Sequence, residues 1–233
     1  YAPDSIATHA RLKTVASFRQ RLGKAKYPLV VSSIQAASQS TLERTVFDEV
    51  TTTLVTRDQV DMSALTKSLV RMGYRPESTV EVPGTFSQRG GILDVYTVTE
   101  RRPVRIEFFG DHIDSMRLFD PETQRSFKRI RSLIISPSEE ILPVLINPDK
   151  VNDKLSLIEI QEFNEEHRVI SSELGRALAG EISNHISFYA GFFNFGSIFD
   201  YLTSDSITIL IRPDEIESAA RSIDTRYEEL RSV

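Results

Sequence analysis

The 233-residue chain contains no cysteine. That excludes disulfides, thiolate zinc sites, iron–sulfur clusters and cysteine nucleophiles together, and it fits a reducing compartment. No stretch approaches the roughly 20 apolar residues of a membrane helix. The first residue is Tyr1, not Met, and no signal-like apolar segment follows it. The chain therefore reads as a piece of something longer. The G-x-x-x-x-G-K-[ST] phosphate loop is absent, and so is the G-x-S-x-G nucleophile elbow. The four histidines, His9, His112, His167 and His185, include no pair at the spacing of a metal motif. No catalytic residue, cofactor site or metal site is expected. What is present is ordinary for a globular chain: 40% hydrophobic residues, 26% charged residues and a net charge of -5. A chain of this length buries a core without staples. Its negative charge does not suit a whole surface built for phosphate.

Three compositional zones follow one another. In the first, to about Val50, Asp4 or Ser5 is placed to cap a helix. Leu12, Val15, Phe18 and Leu22 then recur at helical spacing, with Gly23 as the stop. Pro28 to Val31 reads as a short buried strand, and a second helix is expected through Ile34 and Leu42. In the second zone a β-branched stretch, Val50 to Thr56, precedes a helix that starts at Asp61, carries Leu65, Leu69 and Met72, and closes at Gly73. Strands are expected at 79–82, 92–95, 104–109, 113–119 and 130–135, with turns at Gly110-Asp111 and Asp120-Pro121. In the third zone, 171–182 has helical spacing, 188–199 is dense in aromatics, and Ile207 to Ile211 reads as a buried strand. Pro213 opens a last helix, with Asp214 and Glu215 near the positive end of its dipole. The outer zones have the grammar of an α/β layer split in sequence, with a β-rich lobe inserted between its halves.

The chemistry-bearing residues are few. Gly90-Gly91 is the only glycine pair, and a β-run follows it with no lysine. It fits a hairpin or bulge that needs φ > 0 or close backbone approach, rather than a phosphate cradle. Asp94, Glu107, Asp111, Asp114 and Asp120 are interleaved with Arg102, Arg105, Arg117 and Arg125. That pattern suits cross-strand ion pairs as well as acid–base or cation sites. Residues 101–131 hold eight Lys/Arg against five Asp/Glu, a local basic face on an acidic chain. Such a face suits nucleic acid or an acidic partner surface. Strand alternation sharpens the picture. On Val104-Arg105-Ile106-Glu107-Phe108-Phe109, the residues Val104, Ile106 and Phe108 share the apolar face. Phe109 is thereby placed outward, on the face of Arg105. An aromatic beside an arginine is the residue pairing enriched at protein-binding hot spots, and the alternative is that another strand or helix covers Phe109.

These residues belong to a longer pattern. Pro83-Gly84-Thr85-Phe86-Ser87-Gln88-Arg89-Gly90-Gly91-Ile92-Leu93-Asp94-Val95-Tyr96 is followed by Pro103-Val104-Arg105-Ile106-Glu107-Phe108-Phe109-Gly110-Asp111-His112-Ile113-Asp114-Ser115. Then comes Phe119-Asp120-Pro121-Glu122-Thr123-Gln124-Arg125-Ser126. Together they resemble the N-terminal UvrB-like module of the bacterial transcription-repair coupling factors, the Mfd family. The specific match spans Thr79 to Ser126. Weaker similarity continues on both sides, including Ser197-Ile198-Phe199-Asp200-Tyr201-Leu202. UvrB carries a related pattern, but it tends to read Asp-Pro-Leu-Thr-Gly where this chain has Asp-Pro-Glu-Thr-Gln.

The resemblance implies a split RecA-like α/β domain, degenerate in its nucleotide site, with an inserted small α+β antiparallel domain. On that division 1–50 is a partial first half, 51–136 is the inserted UvrA-binding domain, and 137–233 is the second half. The implied function is non-catalytic recruitment of UvrA, linking a stalled RNA polymerase to nucleotide excision repair in the cytoplasm. Arg89, Arg105 and Phe109 match the family's UvrA-contacting positions, and for Arg89 the resemblance is the sole support. The implied full-length parent is an ATP-dependent DNA translocase that meets RNA polymerase and DNA through regions outside this chain. The alternatives are a fragment of UvrB itself, or a DNA-binding module using the Arg101–Arg131 face. Three departures stand out. Val95-Tyr96-Thr97 replaces a common Ile-Phe-Pro, His112 stands where an acidic residue is common, and UvrB's DNA-clamping hairpin has no visible counterpart.

Overall fold

The computed structural model describes residues 5–19, 29–157, 165–181, 183 and 185–231. Helix α1 is Ser5–Arg19; its Leu12 and Val15 are buried, as the helical spacing predicts, Ala16 is buried beside them, and Phe18 is half-buried. Asp4, Gly23, Pro28 and Ile182, named above as cap, stops or strand start, lie outside the described residues. Residues 29–31 form no strand, and Leu29 and Val31 are exposed. An apolar run becomes a buried strand only when neighbouring strands take its backbone hydrogen bonds. None does so here among the described residues. The expected second helix is broken into α2, Ile34–Ala37, and α3, Arg44–Val50. Between them Leu42 is buried, and Thr41 pairs with Gly196 in an isolated bridge.

The middle of the chain follows its pattern more closely. Strand β1, Thr52–Val55, leads to α4, Met62–Arg71. Asp61 caps α4 by accepting from the amides of Ser63 at 2.7 Å and Ala64 at 3.2 Å. Leu65, Leu69 and Met72 face the core, and Gly73 stands at φ 87° beyond the last turn. Then come β2 (Arg75–Pro76), β3 (Thr85–Arg89), β4 (Ile92–Tyr96), β5 (Val104–Phe109), β6 (His112–Phe119), β7 (Ser126–Ile130) and β8 (Ser132–Ile135). Strands β2 to β7 form one sheet in chain order, parallel between β2 and β3 and antiparallel elsewhere. A second, two-stranded sheet pairs β1 with β8. Two expectations are corrected here. Residues 79–82 form no strand; that segment lies across β3, and Val80 is fully buried. The run 130–135 is divided, because β7 and β8 on either side of Arg131 belong to different sheets. One face of the large sheet packs on α4 around Leu69, Met72, Tyr74, Leu93, Ile106 and Ile113.

The last zone is helical. A single 3₁₀ turn, Pro143–Leu145, precedes α5 (Pro148–Ser156) and α6 (Glu165–Leu178). Helix α6 begins earlier than the spacing around Leu174 and Leu178 suggests. Short helical turns at Ile186–Tyr189 and Ile198–Tyr201 flank α7, Ala190–Phe193. The helix α8, Pro213–Arg231, opens with Pro213, Asp214 and Glu215 as expected. Residues 207–211 are not a strand, and Ile207, Ile209, Leu210 and Ile211 are exposed. The protein is thus mixed α/β, with one antiparallel and one mixed sheet. The parallel layer of the expected RecA-like domain does not form among the described residues.

Two further cores lie outside the large sheet: the first ties the outer zones together, and the second lies within the last zone. Leu12, Val15, Leu42, Phe47, Leu142 and Tyr201 make one, drawing on α1, α3 and the turn at Ile198–Tyr201. Tyr201 donates its hydroxyl to the Leu42 carbonyl at 2.8 Å and meets Phe47 edge to face at 5.8 Å. Ile146, Val151, Leu174 and Phe193 make the other.

A candidate protein-interaction face on the large sheet

The outward face of the large sheet is built by strand register. Ser87, Asp94, Arg105, Arg117 and Arg129 stand opposite one another across β3 to β7. Arg89, Ile92, Glu107 and Ser115 form the next row. Side chains directly opposite in an antiparallel pair share a face. Glu107 lies two residues from both Arg105 and Phe109, so β5 presents all three together. One end of this face is covered. Ser87 donates to the Ser78 carbonyl at 3.2 Å, and Gln124 donates to the carbonyls of Val80 and Pro121 at 3.2 and 2.6 Å. These bonds lay the 78–82 segment and the 120–124 loop over Asp94, Arg105 and Phe119.

Arg105 belongs to the covered end. Its Nε and Nη2 donate to the two carboxylate oxygens of Asp94, both at 2.8 Å, and Nη1 lies 3.4 Å from the Gln124 carbonyl. The guanidinium also rests 4.8 Å from the Phe119 ring centre. Asp94 is only 2% exposed. The hydrogen bond to Asp94 raises the Arg105 pKa above its already high ordinary value, so the charge is permanent. A bidentate pair of this kind fixes geometry as well as charge. Arg105 therefore stands where strand alternation places it, but its fork is already occupied.

The other end is open. Phe109 is 83% exposed at the end of β5, opposite His112 across the Gly110-Asp111 turn. Arg89 is exposed at the end of β3, opposite Ile92, itself 38% exposed. The Gly90-Gly91 hairpin brings these ends together. Gly90 holds φ at 57°, and a Cβ on Gly91 would meet the Phe108 carbonyl at 3.1 Å. The Phe108 amide donates back to the Gly91 carbonyl at 2.8 Å. The pair is thus a tight turn with close backbone approach, which presses the tip of the β3–β4 hairpin against β5. Glu107 is held by Ser115 Oγ at 2.6 Å and faces Arg117 Nη2 at 3.4 Å.

The acidic residues singled out in the sequence do not converge. Asp94 binds Arg105 and Glu107 faces Arg117. Asp120 Oδ1 accepts from the amides of Glu122 and Thr123 and from the Thr123 hydroxyl, while Oδ2 accepts from Arg102 at 2.8 Å. These bonds, led by the Thr123 amide, hold the Asp120 carboxylate below its ordinary pKa. The Asp-Pro-Glu-Thr-Gln run is accordingly a self-capped loop. Three arginines of the 101–131 segment are spent on these carboxylates. Arg101, Arg125, Lys128, Arg129 and Arg131 remain exposed, with no side-chain partner among the described residues. The sequence singled out Asp94 among the acidic residues but did not name Arg105 as its partner. Its position opposite Arg105 in register is a signal that strand pairing would supply.

Comparison with known proteins places this face in a family context. Residues 52–141 match the model of the UvrB interaction domain. The transcription-repair-coupling factor of Myxococcus xanthus is 36% identical over 141 residues, 60% of this chain and 12% of that protein. That of Bacillus subtilis is 29% identical over 204 residues, 82% of this chain and 17% of that protein. UvrABC system protein B of Thermotoga petrophila is 28% identical over 139 residues, 60% of this chain and 20% of that protein. The chain spans no more than a fifth of the length of these relatives. It is similar to the transcription-repair-coupling factors and, over a shorter segment, to UvrB.

Proposed function

We propose that this chain is a non-catalytic docking module that presents the open end of its large sheet to UvrA. Phe109 carries the reading. It is a large aromatic, 83% exposed, held outside the core by strand alternation, within the segment that matches the UvrB interaction domain. An exposed aromatic flanked by charge is poorly explained by folding and well explained by a partner that buries it. Arg89 is the second contact, free at the adjacent hairpin tip. Arg105 is a positioning residue on this reading. Its bond to Asp94 fixes β4 against β5, and through them the height of Phe109.

The zones 1–50, 51–136 and 137–233 are proposed as a degenerate split RecA-like domain with the docking domain inserted, its outer halves carrying no parallel sheet among the described residues. The chain performs no catalysis of its own in this scheme. The longer parent is proposed to be an ATP-dependent DNA translocase that meets a stalled RNA polymerase and DNA through other regions. In the cytoplasm this module would hand the lesion to excision repair.

The test is titration calorimetry against UvrA with the wild type, Phe109→Ala and Arg89→Glu, after a thermal melt of each. Truncating a hot-spot aromatic costs about 2 kcal/mol or more of binding. An exposed side chain contributes within roughly 0.5 kcal/mol to folding. Both variants are therefore expected to melt with the wild type and to bind at least tenfold more weakly. Equal binding by all three would remove the face from the proposal, and no binding by the wild type would remove the function.

A further inference from the structure

The outward face carries a ladder of three arginines. Arg105 stands directly opposite Arg117, and Arg117 directly opposite Arg129. Like charges facing each other across adjacent strands oppose pairing. The first two rungs are neutralised from within, Arg105 by Asp94 and Arg117 by Glu107. The third is not. Arg129 lies on β7, the edge strand, exposed and with no hydrogen-bond or ion-pair partner among the described residues. Arg125, Lys128 and Arg131 beside it are also exposed and without a side-chain partner among the described residues. Phe127 among them is 60% exposed.

Edge protection accounts for part of this. The register shift between Leu118 and Phe119 leaves Phe127 bulged, and a bulge or a lysine keeps sheets from joining edge to edge. Those devices discourage backbone pairing by an added strand. They do not call for four unpaired cations around an exposed aromatic. The same strip suits recognition through side chains.

We infer that Arg129, on the outward face of the edge strand, docks an acidic patch on the surface of a protein partner, whose carboxylate supplies the counter-ion that the third rung lacks. The inference rests on the reading that this sheet face binds UvrA, and it extends the contact from Phe109 to the sheet edge. Nucleic acid fits the strip less well. The chain carries a net charge of -5, which repels a polyanion at long range. Lys128 stands opposite Leu118 and Arg129 opposite Arg117, so the two cations leave opposite sides of a short strand. Aromatic and arginine together are the residue types enriched where proteins meet.

The experiment titrates UvrA into the 233-residue chain at about 50 and 300 mM salt, between which the screening length falls about 2.4-fold. Wild type, Arg129→Ser, Arg129→Lys and Phe109→Ala are compared, with a parallel titration of a short DNA duplex. Arg129→Ser is expected to weaken UvrA binding about tenfold at low salt and less at high salt. Arg129→Lys keeps the charge and should retain most of the affinity. Phe109→Ala should weaken binding similarly at both salts. The melting temperature of Arg129→Ser should equal or exceed that of the wild type, because a like-charge neighbour is removed. If Arg129→Ser binds UvrA as the wild type does while Phe109→Ala does not, the inference falls and the docking face stands. Duplex binding by the wild type, lost in Arg129→Ser, would assign the strip to phosphates and overturn it too. Absence of any UvrA binding by the wild type would remove both.

Discussion

Asp94 and Arg105 form an ion pair that is nearly dry on one side: the Asp94 side chain is 3% exposed and the Arg105 side chain 22%. Removing one partner of a buried pair strands the other charge, whereas replacing both leaves nothing unpaired. Arg105→Ala is therefore expected to destabilise the fold by about 3 kcal/mol, near the low end for such pairs because the guanidinium is partly wetted. The double replacement Asp94→Leu with Arg105→Met should cost less than Arg105→Ala alone. Urea titrations of the three variants measure this, and a double variant less stable than the single one would refute the pair's structural role. The consequence for binding studies is direct. On the proposed reading, a loss of UvrA binding in an Arg105 variant would report on sheet geometry as well as on contact, while variants of Phe109 and Arg89 would report on contact alone.

At the scale of elements, the local signals that decided structure were caps, turns and alternation. Asp61 caps α4 because its short carboxylate reaches two amides of the first turn. Asp61→Ala is expected to lower stability by about 1 kcal/mol, read as a shift in the urea midpoint with an unchanged slope. Alternation on β5 was sufficient to place Val104 and Ile106 inside and Phe109 outside, because one face of the sheet is buried and the register shift opposite Glu107 and Phe108 skips Asp114 on β6, not a residue of β5. Alternation did not find β3, whose Thr85, Phe86 and Ser87 are all buried because the 78–82 segment covers the face that would otherwise be wet. It also read 130–135 as one strand, since periodicity within a run carries no information about which sheet each half joins.

For the whole molecule, helix α1 adds polar contacts to its apolar packing, one with the segment after β8 and one with the turn before β3. Arg11 on α1 donates its Nε to Glu140 at 2.6 Å, and a Cβ on Gly84 would lie 3.7 Å from His9 Nε2. Burial lowers the His9 pKa from 6.5, and the nearby Arg75 lowers it further. A histidine held neutral in the fold binds its proton more readily once unfolded. Stability from this site is fully present above about pH 6.5 and falls as the pH drops through and below that value. Thermal melts between pH 7.5 and 5.5 should show this loss, and His9→Gln should reduce the pH dependence. An identical slope in the variant would show that His9 does not drive it. The opposite join is sterically tight. A Cβ on Gly196 would fall 2.5 Å from the Leu42 carbonyl, so the Thr41–Gly196 bridge admits glycine alone without a shift.

The sequence by itself determined the elements whose cause is local. These are the Asp61-capped helix, the Gly90-Gly91 and Gly110-Asp111 turns, and the inward and outward faces of β5. Each follows from propensity, φ requirements or a two-residue period. Tertiary structure decided what those elements meet. It gave Arg105 to Asp94 and gave Arg129 no partner among the described residues, because pairing across strands depends on register between neighbouring strands, which periodicity within one strand does not set. It also left Leu29 to Val31 and Ile207 to Ile211 outside any sheet, although both runs are apolar enough for a buried strand. A strand is a property of its neighbours as much as of its residues: its backbone donors and acceptors are satisfied only by another chain segment laid alongside.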